Sequence, residues 1–246
     1  MIKYLIAIIL ILPVVIVTFP LLLIMKLRPN WFSIKFKYGY ARFILKWLCI
    51  AFRVRFDIKG LENIPKDQKY VLTPNHLSLF DAITMIMVSK RPITFVAKKE
   101  TRNMPVVGMI LEVIGGFFLD RKDVRRSLKM MKDIEDYINE HPEVGFVIFP
   151  EGTRSKDVNM MPGEFKGGSY KVAYKTEATV VPLTLYGTKK PLGFNEYLFH
   201  KIKVEIGTPI PYEEYKDLTT IELANKCQTF VEEKMTQFNK KKTDTK

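Results

Sequence analysis

The chain has 246 residues, 47% of them hydrophobic, enough for one large domain or for one domain with an appendage. Two cysteines (Cys49, Cys227) and three histidines (His76, His141, His200) leave no disulfide framework and no Cys/His cluster with zinc-ligand spacing, so no metal site is expected. Of the net charge of +13, residues 1–60 supply +9, with ten Lys or Arg against the single acid Asp57; this segment is also the most apolar, so the charge points to an anionic membrane surface and away from nucleic acid.

Tyr4 to Met25 carries no charge over 22 positions. As a helix it would be about 33 Å long, against about 30 Å of hydrocarbon in a bilayer. Pro13 and Pro20 each remove a helix hydrogen bond, so the segment either spans or forms a kinked, re-entrant helix. It is too long for the core of a cleaved signal peptide and no small-residue cleavage site follows. If it spans, the excess of Lys and Arg after Met25 places the main body on the cytoplasmic face.

Trp31 to Ala51 predicts a second helix of another kind. Lys35, Arg42, Lys46 and Arg53 fall within about 40° of one another at 100° per residue. The remaining arc is broad and aromatic, including Trp31, Phe36, Phe43 and Trp47. That pattern suits a helix lying in the lipid interface with its cations toward headgroups; the alternative is a core helix with one solvated edge. Residues 1–52 are therefore expected to be a membrane-associating helical segment, and residues 53–246 a separate domain.

From Arg53 the period changes to two, giving a strand to Lys59 that ends at Gly60. Further strands are predicted at Tyr70–Thr73, Ile93–Ala97, Phe117–Leu119, Val144–Phe149, Thr179–Tyr186 and Lys201–Ile206. Helices are predicted at Ala82–Val88, Val106–Ile114, Val124–Asn139, Tyr170–Thr176 and Thr220–Lys240. Alternation of this kind implies an α/β fold, with a mixed, largely parallel sheet covered by helices.

Two chemically loaded segments follow apolar strands. Asn75-His76-Leu77-Ser78-Leu79-Phe80-Asp81 places an imidazole five positions before a carboxylate. Phe149-Pro150-Glu151-Gly152-Thr153-Arg154-Ser155 supplies flexible backbone, hydroxyls and a guanidinium. Ligands in open α/β sheets bind beyond the carboxyl ends of strands, so the two can meet at one edge although 75 residues separate His76 from Glu151. A neutral imidazole can take the proton of an attacking hydroxyl, with Asp81 on its other nitrogen fixing the tautomer. Arginine grips phosphate in two-pronged fashion. Lys98 and Lys99 end one strand and Arg121 follows another, so these cations can point to the same edge. Each of these charges taken singly is equally consistent with a solvated loop. No Gly-x-Gly-x-x-Gly follows a strand, which disfavours a nicotinamide enzyme.

Four blocks in order resemble the glycerolipid acyltransferase family, in the branch that acylates lysophosphatidic acid. They are the His-x4-Asp block at Asn75–Asp81, Gly116-Phe117-Phe118-Leu119-Asp120-Arg121, Phe149–Ser155 and Val180-Val181-Pro182-Leu183, and the likeness runs from about Gly60 to Pro211. The resemblance implies an O-acyltransferase that moves an acyl chain from an acyl-CoA or acyl carrier protein thioester to the free hydroxyl of 1-acyl-sn-glycerol 3-phosphate, giving phosphatidic acid without a cofactor. It implies His76 as base and Asp81 as its partner. Arg121, Glu151, Gly152, Thr153 and Arg154 would bind the glycerol phosphate, together with Lys98 or Lys99, and Val180–Leu183 would help bind the acyl donor. The alternatives are acylation of glycerol 3-phosphate or another lysophospholipid, and a non-catalytic protein that binds anionic lipid and has no use for the His76–Asp81 pair.

Overall fold

The computed structural model describes residues 2–120, 124–157, 159–193 and 199–243. In chain order the helices are α1 (Ile2–Leu27), α2 (Ile34–Ala51), α3 (Phe80–Val88), α4 (Val107–Val113), α5 (Val124–Glu140), α6 (Lys171–Thr176), α7 (Tyr212–Tyr215) and α8 (Thr220–Thr243). The strands are β1 (Val54–Lys59), β2 (Tyr70–Pro74), β3 (Ile93–Lys98), β4 (Phe117–Leu119), β5 (Gly145–Val147), β6 (Thr179–Tyr186) and β7 (His200–Ile206). They form one sheet in the order β1-β7-β6-β2-β5-β3-β4. Every pairing is parallel except β6 with β7, as the alternation of strands and helices implied.

The central strands are buried on both faces, as parallel strands under two helical layers must be. In register, Val71 lies between Val180 and Phe146, and Leu72 lies between Val181 and Val147. The first trio belongs to a core shared with α5, α6 and α8, the second to a core shared with α2, α3 and α4. The period-two alternation therefore assigns each strand residue to one of two helix layers. Because β2, β3, β4, β5 and β6 all point one way, the segments that follow them gather at one edge of the sheet.

α1 and α2 form a hairpin on the second of these layers, the one that includes α3 and α4. α1 is continuous through Pro13 and Pro20. It is long and apolar enough to cross a membrane, yet it lies along the domain: Ala7 packs with Ala51 and Phe52, and Leu22 and Met25 join the core. Tyr40 Oη of α2 donates to Thr18 O of α1 at 2.9 Å. Both ends of α1 are tied to the domain as well, by Tyr4 Oη donating to Leu192 O at 2.8 Å and by an ion pair of Lys26 with Glu112 at 2.7 Å.

α2 differs from its expected form in two respects. It starts at Ile34, because Ser33 caps it by accepting from Phe36 N–H at 3.2 Å and a short 3₁₀ turn precedes it at Pro29–Trp31. The four-residue basic stripe is also broken. Arg53 lies past the helix with φ of +52°, and the Arg42 guanidinium turns inward to donate to Met87 O at 3.1 Å. Met87 sits in the last turn of α3, whose carbonyls lack helical partners and accept a cation well. Lys35 and Lys46 stay exposed. The expected breadth of apolar surface is present: Tyr38, Ala41, Ile44 and Leu45 face the domain, while Phe36, Phe43, Trp47 and Ile50 are exposed alongside the bare face of α1, where Val17 is 78% accessible.

Candidate active site

The segment from Pro74 to Asp81 is a turn built by side chains that imitate backbone. Asn75 continues the pairing of β2 with β6: its Oδ1 accepts Leu185 N–H at 2.7 Å and its Nδ2 donates to Leu185 O at 3.0 Å. Ser78 Oγ accepts from Phe80 N–H at 2.9 Å and opens α3. Asp81, in the first turn of α3, reaches back over the turn. Its Oδ2 accepts from Leu77 N–H at 2.6 Å and Ser78 N–H at 2.7 Å, and lies 2.7 Å from His76 Nδ1. This explains the spacing of five: the acid must stand one helical turn past the bend to cap it and still reach the ring. Asp81 is fully buried.

His76 is held on several sides. Nδ1 faces Asp81, which leaves Nε2 for another partner, and the side chain keeps 20% accessibility. Phe149 stacks on the ring with centroids 4.2 Å apart and planes 27° from parallel. The second segment also grips the backbone of His76: Ser155 N–H donates to His76 O at 2.8 Å, and Glu151 Oε1 accepts His76 N–H at 2.6 Å. The predicted meeting of the two segments therefore occurs. It follows from β2 and β5 being neighbours in the sheet.

Gly152 adopts φ of +67°, a left-handed conformation that a glycine takes without steric cost and that turns the chain sharply after β5. Thr153 and Arg154 project from this turn and are exposed. Lys98 and Lys99 stand at the end of β3, two strands from β2, hence about 10 Å along the edge. Lys98 pairs with Glu100 at 3.4 Å, and Lys99 pairs with Asp120 at 3.0 Å, joining the ends of β3 and β4. Arg121 lies outside the described residues. Val180, Val181, Pro182 and Leu183 are buried in β6, with Val180 in the core of one helix layer and Val181 and Leu183 in that of the other. Among the described residues, no group of three or more His, Cys, Asp or Glu is placed to hold a metal ion.

Three residues contribute in ways that their place in the sequence does not show. Phe149 reads in sequence as the end of an apolar strand, and its stacking depends on the sheet order. Asn75 has the look of a turn residue, but its two bonds to Leu185 span 110 positions. Glu151 is 3% accessible and has both oxygens engaged, the second by Gly163 N–H at 2.7 Å. Burial raises its carboxyl pKa above the ordinary value, while the two backbone N–H groups and the His76 ring pull the other way.

Chemically, an imidazole with one nitrogen on a buried carboxylate and the other open can accept a proton from a hydroxyl and later return it. Cations on neighbouring strand ends can hold an anionic group of the same molecule.

A family model described as Acyltransferase matches residues 55–186. A chloroplastic 1-acyl-sn-glycerol-3-phosphate acyltransferase of Brassica napus is 35% identical over 199 residues, 78% of this chain and 56% of that protein. A 1-acyl-sn-glycerol-3-phosphate acyltransferase of Haemophilus influenzae is 28% identical over 189 residues, 75% of this chain and 77% of that protein. The chain spans only about half the length of the plant relatives, 56% and 49% for the Brassica and Arabidopsis proteins. The crystal structure of the 1-acyl-sn-glycerophosphate acyltransferase of Thermotoga maritima has the same fold, with a TM-score of 0.74 at 23% identity over 96% of this chain and 97% of that one.

Proposed function

Because this chain belongs to the acyltransferase family, whose model its residues 55–186 match, we propose that it acylates 1-acyl-sn-glycerol 3-phosphate from an acyl-CoA or acyl carrier protein thioester, giving phosphatidic acid. The observation that carries the proposal is the buried Asp81 on His76 Nδ1 at a strand edge that also bears Arg154, Lys98 and Lys99. The names of the Brassica and Haemophilus relatives support the choice of acceptor.

In this reading the acceptor's hydroxyl lies against His76 Nε2. As its oxygen attacks the thioester carbonyl, the proton passes to Nε2, and Asp81 stabilises the imidazolium. The tetrahedral intermediate then breaks its carbon–sulfur bond. The departing thiolate takes the proton back, leaving ester, thiol and neutral His76. No covalent enzyme intermediate is needed. Gly152, Thr153, Arg154 and the lysines after β3 hold the phosphate, which fixes the hydroxyl at the base; proximity of this kind replaces an entropic cost with binding energy.

Arg154→Ala should raise the KM for a phosphorylated acceptor about 10- to 150-fold, the loss of one charge-assisted pair of about 1.5–3 kcal/mol. It should matter much less for a non-phosphorylated acceptor of equal chain length. Equal losses on both acceptors would make Arg154 structural. The acceptor itself is tested by offering the purified protein 1-acyl-glycerol 3-phosphate, glycerol 3-phosphate and other lysophospholipids in parallel and weighing the products. Preference for glycerol 3-phosphate would move the assignment to a sibling reaction.

The acceptor's tail lies in a bilayer and the donor is a thioester dissolved in the cytoplasm, so residues 1–52 seat the domain at the interface, on the cytoplasmic face. The bare faces of α1 and α2 enter the lipid together. Since both ends of α1 contact the domain, α1 lies in the membrane surface without crossing it. A cysteine added ahead of Met1 and a second at Lys240 should therefore react with an impermeant maleimide from the same side of sealed vesicles. The native Cys49 and Cys227 are buried and give little background. Labelling from opposite sides would show that α1 spans.

A further inference from the structure

Glu151 stands where a substrate-binding acid is expected, but its surroundings are all backbone. The residue is 3% accessible; Oε1 accepts His76 N–H at 2.6 Å and Oε2 accepts Gly163 N–H at 2.7 Å. The peptide of His76 is gripped from the other side by Ser155 N–H at 2.8 Å on its carbonyl. Three segments meet at this one carboxylate: the turn carrying the base, the loop after β5, and the long connection that returns through Gly163 to Lys166, whose N–H bonds Pro150 O at 3.1 Å. Only a deprotonated acid supplies two acceptors to two N–H donors here. An amide of identical shape offers one acceptor and would turn its NH2 against one of them.

We infer that Glu151 is a positioning residue: it pins the main chain of His76 to the loop that carries Arg154, and so sets the base at a fixed distance from the cations at the same edge. The inference rests on the acyl-transfer reading for its kinetic consequence and on geometry alone for the contact. Asp81 orients the ring, while Glu151 locates the peptide from which the ring hangs. Displacement of a reacting group by about 1 Å costs up to about 10²-fold in rate, so the latch acts on turnover more than on binding.

The test compares the wild-type protein with Glu151→Gln and Gly163→Ala. A Cβ at residue 163 would stand 3.1 Å from Glu151 Oε2 and push the carboxylate without altering its charge. Both variants should lower kcat, Glu151→Gln by about 10- to 100-fold and Gly163→Ala by less, with the KM for 1-acyl-glycerol 3-phosphate held within about threefold. Deuterium exchange in peptides covering residues 74–81 should quicken in both, since the carboxylate that accepts the His76 amide is replaced in one variant and displaced in the other. A rise of about tenfold or more in acceptor KM, with kcat and exchange unchanged, would assign Glu151 to the substrate and overturn the inference. If Glu151→Gln does not fold, Gly163→Ala decides by the same readouts. If the wild-type protein transfers no acyl group, the acyl-transfer reading fails, and the exchange comparison still decides whether the latch exists.

Discussion

His76→Ala is expected to lower kcat/KM for acyl transfer by about 10²–10⁴-fold, the usual worth of a positioned general base. The loss falls on chemistry. His76 sits at a turn, its backbone bonds to Glu151 and Ser155 are made by main-chain atoms that alanine retains, and Asp81 keeps the Leu77 and Ser78 N–H groups. The fold and the membrane affinity should therefore survive, as read by the melting temperature and vesicle sedimentation. The stacked Phe149 loses its partner ring, a modest loss at a partly exposed place. Activity within about tenfold of wild type would exclude a general base at His76.

The second large effect is expected from Asp81→Asn. Asparagine keeps the size and one carbonyl oxygen, so the caps on Leu77 and Ser78 N–H persist and the turn stays closed. What disappears is a full negative charge, wholly buried, 2.7 Å from the imidazole. Without it the imidazolium formed during attack loses its stabilisation, even though the oxygen that caps Leu77 and Ser78 still accepts from Nδ1–H. The loss should be on the order of 10²–10⁴-fold, equal to or smaller than that of His76→Ala. Because the two residues act as a unit, the double variant should be no slower than His76→Ala alone. Additive losses would mean that Asp81 works through the turn and not through the ring.

The elements that position this site were legible because parallel strands write themselves as short apolar runs. Tyr70–Thr73 and Thr179–Tyr186 were placed to within a residue, since burial on both faces admits little else there. Helix ends were less legible, because they depend on single caps: Ser33 sets the start of α2 at Ile34, and α3 opens at Phe80 through Ser78. The His76–Asp81 pair was legible from a local rule, five residues across one helix start. The meeting of His76 with Glu151 was only half legible. Sequence placed both beyond strand ends, but the neighbourhood of β2 and β5 is a property of sheet order. So is the direction of Glu151: the family resemblance implies a ligand for substrate, and only the positions of His76 N–H and Gly163 N–H reveal a contact with backbone. Arg42 failed for a related reason. Helical spacing put it on a stripe with Lys35 and Lys46, but spacing cannot see the carbonyl of Met87 across the packed α2–α3 contact.

Service of His76 as the base for acylating a lysophospholipid is the step on which the rest depends. It is tested most directly by incubating purified wild-type protein and His76→Ala with an acyl thioester and 1-acyl-sn-glycerol 3-phosphate in vesicles, and quantifying phosphatidic acid by mass. Phosphatidic acid is expected from the wild-type protein, and a rate lower by about 10²–10⁴-fold from a folded, membrane-bound His76→Ala. Absence of phosphatidic acid with both acyl-CoA and acyl carrier protein donors, or equal rates from the two proteins, would contradict that role for His76.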